Sequence, residues 1–448
     1  MKSLLDKINA KLNAQGGFLK AVSVLVGGTA FAHLIGFLCL PFLTRLYSPE
    51  DYSILGVYIA MVSILSVISC LRFDIAIPIP QQENEGKALL LLALMSNTIF
   101  FVLLYLILFL IHPFIQDFKI IKQMSYWIWL VPFGVYISGL YSALQYWATR
   151  HKRFKDIAQT RMTQAVFGNG TSLATGAIWG GFWGLILGQI LNFSGGLFKL
   201  ATSAKKDLSL VKSSPLKDTF SKYSNFPKYS TFEALANTSA IQLPLIIIAS
   251  FVIGPEVGYL MMAMKIMGIP MSLIGGSISQ VYLAEAPVKH EQGELRDYTK
   301  DIIVKMINIS ALIIFGSTIL YLIIPVVLGE GWKRTGELIF LMAPWFAIQF
   351  AASPISMVMH IKNMQKIMLI LTVLGLMLRI LFIYIFASYS LISEAYIFSS
   401  FLFYFFCYFI FCGYVGIKLG DQLDIFKNNP MLFLVIIYYM VFGGYIYL

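Results

Sequence analysis

The chain predicts an all-α polytopic membrane protein, two six-helix bundles related as a pseudo-repeat with an extra helix at the C-terminal end. Three observations lead there. Of its 448 residues, 58% are hydrophobic and only 12% charged, whereas a soluble domain carries about 25% charged residues to build its polar skin. Mean hydropathy is +0.77. The apolar residues also come in runs of about 20, the length that crosses ~30 Å of hydrocarbon at 1.5 Å per residue.

In chain order the runs fall at 19–41, 53–78, 88–111, 125–148, 157–178, 182–199, 233–253, 257–283, 302–327, 337–359, 367–388 and 391–416. A further run at about 431–447 follows a polar break. Gly180 and Gly181 punctuate the joint between the fifth and sixth runs, and Pro78 and Pro80 close the second. Pro132, Pro244, Pro270, Pro325, Pro344 and Pro354 lie inside runs and offer bending points, since each removes a backbone hydrogen bond. Ahead of the first run, Leu4, Leu5, Ile8 and Leu12 alternate with Lys2, Lys7 and Lys11 at helical spacing. That pattern reads as an amphipathic lead-in, and no small-residue cleavage site marks a signal peptide.

Charge sets the orientation. With the N-terminus in the cytoplasm, most of the 33 Lys and Arg residues fall in cytoplasmic loops, as the positive-inside bias requires. Only Arg45, Lys119, Lys122, Lys333 and Arg334 fall outside, while Arg161, Lys265 and Arg379 lie within apolar runs. The net charge of +11 is therefore a signature of topology and not of nucleic-acid binding. The longest polar connection, 200–230, is lysine-rich and contains Ser213, Ser214 and Pro215. It reads as a basic cytoplasmic linker between an N-terminal lobe, 1–199, and a C-terminal lobe, 231–417, with 418–448 as the added hydrophobic segment. The lobes echo each other faintly: Ser48-Pro49-Glu50-Asp51-Tyr52 in one and Gly254-Pro255-Glu256-Val257-Gly258-Tyr259 in the other both open a new run. Transporter repeats are often this weak.

The stretch Pro41-Phe42-Leu43-Thr44-Arg45-Leu46-Tyr47-Ser48-Pro49-Glu50-Asp51-Tyr52, followed by Leu71-Arg72-Phe73-Asp74-Ile75-Ala76-Ile77, resembles the opening of the Wzx-type polysaccharide flippases. These belong to the multidrug/oligosaccharidyl-lipid/polysaccharide (MOP) exporter superfamily. Family members tend to carry Gly after the motif's last aromatic residue; this chain has Ser53 there, with Gly56 nearby. Gln145-Tyr146-Trp147-Ala148-Thr149-Arg150, Trp183-Gly184-Leu185-Ile186-Leu187-Gly188-Gln189, and Gln242-Leu243-Pro244 ahead of Gly258-Tyr259 and Lys265 to Pro270 agree in order and spacing. The resemblance extends to about residue 416. It implies a flippase of the bacterial inner membrane that moves undecaprenyl-diphosphate-linked oligosaccharide repeat units by alternating access, for O-antigen, capsule or exopolysaccharide. Its partners would be membrane lipids and possible neighbours in the pathway, a polysaccharide polymerase and a chain-length regulator.

No enzyme constellation and no cofactor site is legible. The five histidines are scattered without metal-ligand spacing, and no GxxxxGK[ST] loop appears. Cys39, Cys70, Cys407 and Cys412 lie in apolar runs and read as packing thiols. The Asn169 and Asn237 sequons are bland for the same reason. The informative residues are charges at membrane depth, where an Arg or Lys costs at least about 2.5 kcal/mol.

Arg379 stands near mid-membrane and Lys265 too deep to reach the surface easily, so both are candidates to meet an anionic substrate; pairing on a neighbouring helix is the alternative. Arg161 lies one turn inside its helix, where snorkelling also accounts for it. Arg45 matches the family motif at the outer mouth or serves as an interfacial anchor. Arg72 and Asp74, two residues apart, do not face each other on a helix and each needs a partner elsewhere. Arg72 joins the substrate candidates, and Asp74, Glu233 and Glu394 are candidates for coupling or gating. Gln242, Asn237 and Gln349 suit sugar hydroxyls or interhelical hydrogen bonds.

A drug or metabolite antiporter of the same superfamily is the second transporter reading, distinguished by an acidic instead of a cationic lining. A membrane polysaccharide polymerase or ligase is the enzymatic alternative. The short outer loops speak against it.

Overall fold

The computed structural model describes residues 17–209, 216–252, 254–362, 364–389, 391–427, 437 and 439–441. The amphipathic N-terminal lead-in and nearly all of the run at 431–447 lie outside the described residues. Among the described residues the structure is helical, and eleven helices are long and apolar enough to cross a membrane. The chain divides into two compact units, Met1–Tyr47 with Val57–Thr238, and Ser48–Gly56 with Ser239–Leu448.

In the first unit the helices are α1 (Gly17–Leu46), α2 (Pro49–Ser69, from Val57 onward), α3 (Phe73–Ala76), α4 (Glu83–Ile115), α5 (Lys119–Met124), α6 (Leu130–Arg150), α7 (Phe154–Ile178), α8 (Trp183–Ser194), α9 (Leu197–Ser209) and α10 (Leu216–Lys222). The second predicted run, 53–78, is not one helix. It breaks at Leu71 and Arg72, which both adopt left-handed backbone angles (φ 48° and 60°), a conformation that crowds Cβ in L-residues. Pro132 falls in the first turn of α6, where proline is tolerated.

The run at 157–178 is present as α7, but with Gln159, Arg161, Gln164, Asn169 and several Thr it is not among the eleven apolar spans. Its polar groups are answered inside the unit: Tyr141 Oη meets Thr160 Oγ1 at 2.9 Å, Asn192 donates to the Gln164 carbonyl at 3.0 Å, and Tyr47 Oη donates to the Ser172 carbonyl at 2.6 Å. Gly180 and Gly181, both at positive φ (69° and 83°), turn α7 into α8.

Much of the stretch read as a linker packs onto this unit. Leu200, Ala204 and Tyr223 are buried in its core with Phe73, Leu89, Leu144 and Trp147. Trp147 Nε1 donates to Asp207 at 3.0 Å, Arg153 pairs with the same carboxylate at 2.6 Å, and Lys222 pairs with Glu85 at 2.8 Å.

The second unit holds α11 (Thr231–Phe251, from Ser239 onward), α12 (Glu256–Pro270), α13 (Gly276–Glu291), α14 (Leu295–Leu328), α15 (Lys333–Ile355), α16 (Val358–Ile361), α17 (Gln365–Phe386), α18 (Ile392–Val415) and α19 (Leu419–Lys427). A π-helical turn, Met271–Gly275, follows Pro270 and joins α12 to α13, as expected where proline deletes a helix hydrogen bond. Helix α15 is apolar nearly all round and is enclosed, burying Leu338, Ile339, Phe340, Met342, Ala343 and Phe350. Tyr439 stacks on Phe340 (4.2 Å between centroids) and donates to its carbonyl at 2.8 Å.

The two echoing motifs meet within this unit. Ser53 Oγ donates to the Gly254 carbonyl and accepts from the Gly258 amide, each at 2.8 Å. Trp332 makes T-shaped ring contacts with both Tyr52 and Tyr259.

Candidate functional site

In the second unit Arg379, on α17, is buried (4% exposed). Its Nε donates to Ser400 Oγ on α18 at 2.9 Å, and Nη1 donates to the Ala240 carbonyl on α11 at 3.4 Å. The guanidinium lies over the Phe403 ring at 4.7 Å and near the Tyr404 ring at 5.9 Å. Aromatic faces attract a cation without neutralising it. Lys265 is exposed on α12, about two and a half helical turns in from Glu256.

Three acids of this unit are engaged elsewhere. Glu394, in the first turn of α18, and Glu256, in the first turn of α12, both pair with Arg334 on α15, the latter at 3.0 Å, and Glu337 joins at 3.2 Å. Residue-by-residue reading missed Arg334 as the hub, because its three carboxylates come from two other helices and its own next turn.

In the first unit Arg161 donates to the Thr29 hydroxyl on α1. Arg45 is exposed and donates to the Pro41 carbonyl at 2.7 Å. Glu233 is exposed on the first turn of α11.

Arg72 stands at the break between α2 and α3, and Asp74 in the first turn of α3. Asp74 is buried (5% exposed); its Oδ2 accepts from Ser142 Oγ on α6 at 2.5 Å, while Oδ1 is buried with no hydrogen-bond partner among the described residues. Arg72 is half-buried and its Nε is likewise unpartnered. Both charges lie within electrostatic reach of the Cys70 thiol and the Tyr146 hydroxyl. Around them, Asn97 Nδ2 donates to the Tyr136 carbonyl at 2.9 Å, and Cys70 Sγ lies 3.5 Å from the Gly139 carbonyl. A Cβ on Gly139 would collide with Asn97 Oδ1 and Ser69 Oγ. Ser142 carried no signal in the sequence, being one hydroxyl in a mixed helix.

Next to this cluster, Arg150 ties down the loop after α3. It donates to the carbonyls of Ile77 (3.1 Å), Pro80 and Gln82 (3.0 Å) and pairs with Glu83 at 3.1 Å. No group of three or more His, Cys, Asp or Glu side chains able to hold a metal occurs among the described residues. The cysteines are free thiols, three of them buried.

Three arginines thus carry charge into the helices, and among the described residues none of Arg72, Arg161 and Arg379 has a carboxylate within ion-pairing distance. Each of them, within its own unit, suits an anion, because an uncompensated cation in a low-dielectric region gains most from a mobile counter-charge.

A family model described as a polysaccharide biosynthesis protein matches residues 42–337. No curated protein matches the chain. Solved structures do. The lipid II flippase MurJ in an inward closed conformation has 15% identity and a TM-score of 0.66, over 94% of this chain and 98% of that one. An inward-facing multidrug resistance MATE family transporter of the MOP superfamily has 14% identity and a TM-score of 0.63, over 91% and 98%. A MOP superfamily transporter from Pyrococcus furiosus has 12% identity and a TM-score of 0.59, over 91% and 95%. At such identities the likeness is one of fold.

Proposed function

The chain belongs to the polysaccharide biosynthesis protein family, and from that membership we propose that it is a flippase for oligosaccharide carried on a polyprenyl diphosphate. The cargo is an undecaprenyl-diphosphate-linked repeat unit for O-antigen, capsule or exopolysaccharide, and the protein works by alternating access in the bacterial inner membrane with its N-terminus in the cytoplasm. It acts without bond-making chemistry of its own. A polymerase and a chain-length regulator are the partners downstream.

The observation that carries this reading is the set of buried or half-buried arginines without carboxylate partners among the described residues. A diphosphate headgroup loses hydration on entering a low-dielectric region, and fixed guanidinium groups offset that loss and orient it. The polyprenyl tail stays in lipid throughout. In this scheme Arg379, Lys265, Arg72, Arg161 and Arg45 handle the headgroup, and Asp74, Glu233 and Glu394 serve coupling or gating. The drug-antiporter reading shares the fold but favours an acidic lining for cationic cargo, which the three arginines do not supply.

The test is translocation of a lipid-linked oligosaccharide in vesicles holding the purified protein. Transport is expected with the unaltered chain and a loss of at least tenfold in Arg379→Ala and Lys265→Ala at equal protein in the membrane. Full transport by both variants removes these two residues from the site, and no transport by the unaltered chain sinks the flippase assignment.

A further inference from the structure

Polar contacts gather several segments at one end of the first unit. Glu85, in the first turn of α4, pairs with Lys222 at the end of α10, and Glu83 pairs with Arg150 at the end of α6. Asp207 of α9 holds Arg153, which leads into α7, and Asp156 in the first turn of α7 holds Lys199 of α9 at 2.8 Å. Phe226, in the π-helical turn Phe226–Ser230, packs on the same core as Tyr223. The start of α4, the end of α6, the start of α7, α9, α10 and this turn therefore meet at one end.

That end is left cationic. Glu83, Glu85, Asp156 and Asp207 are spent on the partners just named, and the acids left exposed are Asp218 and Glu233. Against these two stand Lys152, Lys155, Lys205, Lys217 and Lys228, all exposed and none in an ion pair among the described residues. The division by residue type is informative. Arg150 and Arg153, with rigid planar forks, are fixed on carboxylates and carbonyls, whereas the uncommitted charges are lysines, point charges on flexible stems that can follow a fluid partner.

Aromatic side chains stand among these lysines. On α9, Leu200 and Ala204 turn inward to the core, while Phe198, on the face that carries Thr202 and Lys205, is 86% exposed. Tyr229 and Phe232 are exposed close to Lys228 in sequence. A ring so bare is unfavourable in water. At a membrane interface it is at home, the ring in the acyl boundary and the neighbouring ammonium groups at the phosphates.

We propose that this end of the first unit is a docking surface for anionic phospholipid, with the five uncommitted lysines on the headgroup phosphates. Basic segments next to membrane spans attract acidic lipid through a field that fades within a Debye length. The bound lipid clamps α9 and α10 onto the ends of α4, α6 and α7. In the orientation proposed above the leaflet is the cytoplasmic one; the docking itself does not depend on the cargo.

The test is thermal unfolding of the full-length protein in dodecyl maltoside micelles at pH 7.5, with and without dioleoylphosphatidylglycerol. A lipid that binds the folded chain alone raises the unfolding temperature, here by an expected ~3 °C or more. Replacing all five lysines by Gln is expected to remove most of that rise. Should this variant fail to fold, Lys205→Gln combined with Lys228→Gln serves instead, with about half the rise lost. The rise is also expected to shrink by more than half in 1 M NaCl, through screening. No rise in the unaltered chain, or a full rise in the lysine variants, overturns the proposal. So does an equal rise with dioleoylphosphatidylcholine, which shows no preference for an anionic headgroup. An equal rise with inorganic phosphate at the same concentration shows a site for a soluble anion and overturns the lipid assignment. None of these outcomes touches the flippase reading, which stands or falls by vesicle transport.

Discussion

Arg379 is held by a hydroxyl, a main-chain carbonyl and two aromatic rings, a combination that fixes its plane while leaving its charge in place. Lysine carries the same charge without the planar fork or the flat face for stacking. Arg379→Lys is therefore expected to retain part of the transport that Arg379→Ala loses, and Ser400→Ala to lower stability by about 1–3 kcal/mol. Thermal unfolding in detergent, read beside vesicle transport, separates the two roles. A Ser400→Ala protein that unfolds at the unaltered temperature shows that the hydrogen bond contributes nothing. The charge at position 379 was legible as a rarity in an apolar run; Ser400, Phe403 and Ala240 were not, because no periodicity connects them.

Helix breaks and helix junctions carry a different set of expectations. Ser53 follows the Ser48–Tyr52 motif, and its hydroxyl joins Gly254 to Gly258. Gly258 has no room for a side chain, since a Cβ would overlap the Pro49 carbonyl. Gly258→Ala is expected to destabilise strongly, by more than about 2 kcal/mol, through overpacking. Ser53→Gly is expected to cost about 1–2 kcal/mol, from the lost hydrogen bonds and added chain freedom. Chemical denaturation of the purified variants ranks them, and a milder effect for Gly258→Ala than for Ser53→Gly contradicts the geometry. At the other break, Leu71→Gly relieves a left-handed residue and is expected to leave stability equal or higher; a marked loss argues that Leu71 packing outweighs its backbone strain.

Across the chain as a whole, polar contacts on the connecting segments bind helices far apart in sequence. Asp421, on α19, accepts from Arg296 at the start of α14 at 2.6 Å, and that hydrogen bond, followed by the Arg296 charge, holds its pKa below the ordinary aspartate value. A carboxylate with a depressed folded value stabilises at every pH above its unfolded value and loses that contribution as pH falls through the folded one. Hydrogen exchange over Leu419–Lys427 is thus expected to be unchanged from pH 8 to 5 after correction for intrinsic rates, and faster below about pH 4. Arg296→Ala is expected to show that faster exchange already at neutral pH. Insensitivity to both removes the pair as the anchor of α19.

Composition, span length and the sequence motifs were enough to place this chain in a bilayer, to mark most of its helices and to single out Arg379, Arg72 and Asp74. Transfer free energy accumulates along about 20 consecutive residues and so is written locally. The folded structure alone decided that the second run breaks at Arg72, that the connection read as a linker packs on the first unit, that Glu394 pairs with Arg334, and that Asp74 meets Ser142 while Arg379 meets no acid among the described residues. These outcomes depend on groups brought within about 4 Å by helix packing, and helix packing is set by through-space fit between segments that the linear pattern leaves unrelated.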